Sequence, residues 1–126
     1  MTIDADKLAL GIVRRLTPIL PLGLRADADD GSVGVFADAA QTHFDIRRLL
    51  ALEPDSRAQQ VAVVAATLSH IQDFVAIELR LPWPGVKAMP LPFAVYDASQ
   101  ICWGFEGEGD ERTELEPISW SEISLE

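Results

Sequence analysis

The chain has 126 residues, of which 20 are acidic and 10 basic, for a net charge of −10. A hydrophobic share of 48% with 24% charged residues suits a folded domain and argues against disordered or fibrous classes, and the length fits one domain, residues 1–126, with a core of its own. The basic residues are scattered and adjacent only at Arg14-Arg15 and Arg47-Arg48, which argues against binding nucleic acid or an anionic membrane.

The opening MTIDADKLALG lacks the basic start and apolar core of a signal peptide, so a cytoplasmic protein is expected. Ala5 to Leu16 reads as a first helix, capped by Asp4, with Leu8, Ala9, Ile12, Val13 and Leu16 on one face. Pro18 and Pro21 bracket its exit. From Leu22 the period drops to two, with Leu24, Ala26 and Ala28 alternating against Arg25, Asp27 and Asp29. Asp30-Gly31 is a hairpin signal, and Ser32 to Ala37 returns as a strand. After a turn at Asp38 to Ala40, a third strand puts Thr42, Phe44 and Ile46 on one face and Gln41, His43 and Asp45 on the other. Arg47 to Leu52 has room for one helical turn before Pro54.

Ser56 to Leu81 is the organising element. Val61, Val64, Leu68, Ile71 and Val75 form one helical stripe, and Val63, Thr67, His70, Phe74 and Ile77 form a second beside it. So broad an apolar surface places this helix across a sheet. Its longest run without a polar residue, Val61 to Ala66, falls far short of a membrane span. Ser56 and Gln59 fit a capping box, Asp55 adds charge at the positive end of the helix dipole, and Pro82 ends the helix.

Four of the thirteen residues from Leu81 to Phe93 are proline, so residues 81–92 read as a stiff extended connector inside the domain. Phe93 to Tyr96 and Ile101 to Phe105 alternate as strands around a turn at Asp97 to Gln100. Residues 106–112 form an acidic, glycine-rich loop expected to be mobile, and Thr113 to Ile118 is a possible sixth strand in which Pro117 suits only an edge or an end. The final ISWSEISLE is too short to assign. The order α-βββ-α-ββ(β) gives an α+β two-layer sandwich, with antiparallel hairpins packed on a long central helix. In element order the chain resembles the small fold shared by type III secretion chaperones and the bacterial YbjN-type proteins. Such a resemblance implies a fold and no activity.

Several residues invite a chemical reading. His70 and Asp73, three apart on the central helix, can meet as imidazole and orienting carboxylate, or can be a core histidine with its partner. Cys102 is the sole cysteine, so it forms no internal disulfide. It sits in a strand with acidic residues downstream, which suits a small buried hydrophobe better than a thiolate. His43 and Asp45, taken with His70 and Asp73, do not make a metal motif, since neither HExxH nor paired CxxC spacing occurs. No phosphate-binding glycine loop or nucleophile elbow is present, and no cofactor is expected.

The surface features point elsewhere. Trp83, in the proline-rich connector, and Trp103, in a strand, are either packed on the sheet or offered as anchors to a partner. From Phe105 onward the chain carries eight acidic residues and only Arg112, a net of −7. Glu106, Glu108, Asp110 and Glu111 then read as a solvated loop or as a docking surface for a basic protein. The expected function is a non-catalytic protein-interaction module: an adaptor, chaperone-like or inhibitory protein, working as a homodimer. The alternative is a small enzyme or ligand-binding domain with a pocket around His70, Asp73 and Cys102.

Overall fold

The structure, a computed structural model, describes residues 2–109 and 111–125. Helix α1 spans Ala5–Leu16. The Asp4 carboxylate accepts from the backbone N–H groups of Asp6 and Lys7, and Arg14 and Arg15 close the last turn. These charges match the helix dipole at both ends. A 3-10 turn at Thr17–Ile19 leads to β1 (Arg25–Asp29), β2 (Ser32–Phe36) and β3 (Gln41–Asp45), an antiparallel sheet in the order β1-β2-β3. Asp30 and Gly31 both have positive φ, 49° and 73°, as a type I′ hairpin requires. The register sets Ala26 and Ala28 beside Val35 and Val33, with Thr42 and Phe44 beyond them. That row faces the core, and Arg25, Phe36 and His43 lie on the outer face.

A short helix α2 (Ile46–Leu50) precedes α3 (Arg57–Leu79). Ser56 Oγ accepts from the Gln59 N–H at 3.1 Å, so half of the expected capping box forms. The Gln59 side chain instead donates to the Leu49 carbonyl at 3.0 Å and ties α3 to α2. The helix also stops earlier than Pro82. Arg80 adopts the left-handed conformation (φ 56°), with its N–H on Ile77 O and the Leu81 N–H on Ala76 O, the Schellman pattern. Arginine there costs roughly 1 kcal/mol relative to glycine. Helix α3 is long and apolar enough to cross a membrane. Half of its most apolar window is buried against this protein's own strands, which makes it a core helix.

The second sheet comprises β4 (Leu91–Tyr96), β5 (Gln100–Glu106), β6 (Arg112–Glu114) and β7 (Ile118–Ser119), followed by a single helical turn, α4 (Trp120–Ile123). Both β6 and β7 pair with β5, and Pro117 lies in the break between them. The expected sixth strand is therefore split, because proline cannot supply a ladder donor. The Trp103 indole N–H closes the gap on the Glu116 carbonyl at 2.8 Å. The molecule is thus α+β as expected, with the strands divided into two sheets. Helix α1 packs on β1 and β2, α3 packs chiefly on β4, and one continuous apolar core joins them.

The connector departs from the extended segment its prolines suggest. It bends back so that Trp83 is only 8% exposed, edge-on to Phe105 at 5.6 Å. A side chain on Gly85 would strike the Ala88 carbonyl, so the bend needs glycine there. At its far end the buried Gln72 side chain donates to the Pro90 carbonyl at 2.7 Å. This bond satisfies the carbonyl that immediately precedes β4. Asp97 N–H bonds Gln100 O, so the pairs in step with it, Val95–Cys102 and Phe93–Gly104, are the hydrogen-bonded ones. Pro92, Ala94 and Tyr96 therefore turn their backbone groups to the free edge. Proline at 92 removes one donor from that edge.

Candidate functional site

Among the described residues, His70, Asp73 and Cys102 make no hydrogen bond with one another. His70 is half-buried on the side of α3 that faces β3. Its Nε2 is within hydrogen-bonding distance of Thr42 Oγ1, and its ring lies 5.1 Å from that of Phe44. Thr42, not Asp73, is the partner that satisfies the imidazole, and Asp73 is exposed. Cys102 alternates with the buried Ile101 and Trp103, so it points to the outer face of the second sheet, where Gln100 Nε2 lies 3.6 Å from its sulfur. Strand alternation thus puts Cys102 on the face turned away from α3. Asp45 caps α2 through the Arg48 N–H, and His43 stacks edge-on to Phe36. Among the described residues no group of three or more His, Cys, Asp or Glu is placed to hold a metal ion.

The two tryptophans offered as anchors are core residues. Trp103 is buried with its N–H satisfied, and Trp83 is covered by Phe105. An aromatic anchor must reach solvent, and neither ring does.

The acidic residues divide into two kinds. Glu106 and Glu114 are tied to Arg112 at 3.3 and 2.7 Å, and the Arg112 guanidinium also lies 4.3 Å above the Phe93 ring. Glu122 is bound by Arg15, which donates from Nη1 and Nη2 to its two oxygens at 2.8 and 2.7 Å. This hydrogen-bonded guanidinium holds the Glu122 carboxyl below the ordinary value. The Ser99 backbone N–H does the same for Asp97, whose carboxylate also accepts from Gln100 N–H and organises the β4–β5 turn. Glu108 and Glu111 stand apart, exposed and with no ion pair among the described residues. Asp110 lies outside the described residues.

Beside these carboxylates lies what the sequence reading missed, a band of exposed large apolar side chains. Ile77 is 73% exposed, Leu81 62%, Met89 42% and Leu91 74%. Two open depressions run through it. One, of about 450 Å³, lies between the end of α3 and the connector and is lined by Asp73, Ile77, Arg80, Leu81 and Met89 among others. The other, of about 380 Å³, is lined by Ala88, Met89 and Leu91 on one side and Glu106, Glu108 and Glu111 on the other. The chemistry available here is recognition: apolar contact beside unpaired negative charge. Comparisons with protein-family models, with curated proteins and with solved structures find nothing that matches this chain.

Proposed function

We propose that this chain is a non-catalytic protein-interaction module, a small acidic cytoplasmic adaptor, chaperone-like or inhibitory protein that works as a homodimer. It receives a basic, partly apolar segment of a partner protein. One observation carries the reading: Met89 and Leu91 are open to solvent directly beside the carboxylates of Glu108 and Glu111. Exposed apolar area of this kind marks contact surfaces, and adjacent free charge supplies selection for the opposite sign. The catalytic alternative has less support, since His70 bonds Thr42 and Cys102 turns to the outer face of the second sheet.

The test is selection of a displayed library of random peptides against the purified protein, with affinities of the survivors measured by fluorescence anisotropy. Survivors should combine Lys or Arg with apolar residues. The E108K/E111K variant should bind them at least about tenfold more weakly. D29K/D38K, which changes the net charge by the same amount on the first sheet and its loop, should leave affinity within about twofold. Enrichment of acidic peptides, or equal loss in both variants, would sink the proposal.

A further inference from the structure

The depression at the end of α3 combines exposed apolar side chains with balanced charge. Its lining balances one negative against one positive charge, Asp73 and Arg80. Both are exposed, and neither has an ion pair among the described residues. They are seven residues apart, two helical turns or about 10.5 Å along the axis, and Ala76 and Ile77 lie midway between them. We propose that two copies of this chain pair here, with the ends of their α3 helices antiparallel about a twofold axis at Ala76 and Ile77. Asp73 of each copy then meets Arg80 of the other. The proposal rests on the homodimer in the functional reading and names its interface.

The arrangement is self-complementary. In an antiparallel pair centred between 76 and 77, residue 73 falls opposite residue 80 and residue 76 opposite residue 77, as an isologous interface requires. Alanine at the crossing admits the isoleucine of the other copy and allows close helix approach. Ile77, Leu81 and Met89, exposed in the single chain, gain apolar cover. A chain of net charge −10 meets itself most readily where the local charge sums to zero. The neighbouring depression, with Glu106, Glu108 and Glu111, would set like charges against each other and so does not suit a second copy. The free edge of β4 is interrupted at its start. Gln72 occupies the Pro90 carbonyl, and Pro92 has no N–H to offer.

Analytical ultracentrifugation of charge-reversal variants tests the pairing. Wild type should be a dimer, and D73R and R80D should each be monomers, because each places like charges opposite one another. Mixed one to one, D73R and R80D should form a heterodimer, since both cross-pairs become complementary. All of these should keep the wild-type circular dichroism spectrum. R80G provides a second check. It should raise the melting temperature of the monomer by relieving the left-handed arginine, while weakening dimerisation. If wild type dimerises but D73R and R80D still do so alone, or if their mixture stays monomeric, this interface is wrong and the homodimer stands. Wild type that stays monomeric up to about 1 mM, the range of the weakest specific contacts, would overturn the interface and the homodimer together and leave peptide binding to its own test.

Discussion

Replacing Glu122 should show how firmly the C-terminal segment is tied to the first helix. Arg15 reaches from α1 to this segment and is mostly withdrawn from water, with a side chain only 10% exposed against 30% for Glu122. Its guanidinium holds both Glu122 oxygens and also donates to the Gly11 and Pro117 carbonyls at 3.0 and 3.1 Å. An exposed ion pair contributes up to about 1 kcal/mol, and breaking a buried one costs about 3–5 kcal/mol. This pair lies between those limits, with two charge-assisted bonds in a forked geometry. Glu122→Ala should therefore cost about 2 kcal/mol. For a chain of this length that lowers the melting temperature by roughly 8 °C. The pH dependence follows from the direction of the Glu122 shift. Its folded pKa lies below the ordinary 4.5, so the pair's contribution is complete above that value and fades as pH falls through the folded pKa. Urea denaturation of wild type and Glu122→Ala between pH 7 and pH 3 measures both effects. The stability gap should be widest at neutral pH and narrow in acid. A loss below about 0.5 kcal/mol at pH 7, or a gap that does not change with pH, would show that the pair does not anchor the segment.

Three further substitutions probe the fold by other routes. Trp83→Ala should cost about 3–5 kcal/mol in chemical denaturation, as the loss of a core ring does; near-wild-type stability would mean that the ring is not packed on Phe105. Gln72→Leu should cost about 1–3 kcal/mol by stranding the Pro90 carbonyl. A loss below about 0.5 kcal/mol would show that the bond to Pro90 does not hold the connector against α3. Ser56→Ala should cost about 1 kcal/mol, with extra exchange confined to the first turn of α3. An effect spread over the whole helix would contradict a local cap.

What could be read from the sequence depended on residues within a few positions of one another. The Asp4 and Ser56 caps, the Asp30-Gly31 turn and the period-two strands each follow from local backbone preference, and all formed near the expected boundaries. The stripe from Val61 to Val75 likewise identified the core helix. The contacts that decide how these pieces assemble join distant positions. Arg15 meets Glu122 across 107 residues, Gln72 meets Pro90 across 18, and His70 meets Thr42 across 28. No periodicity announces such pairs. Whether an apolar side chain is core or surface is equally non-local. Ile77 continues a stripe whose earlier members are buried or half-buried, yet it is exposed. Trp83 looks exposed among prolines, yet it is buried because the connector turns back on Phe105. Local chemistry set the elements and their caps. Only the tertiary structure, by choosing which faces are covered, decided which apolar side chains remain exposed.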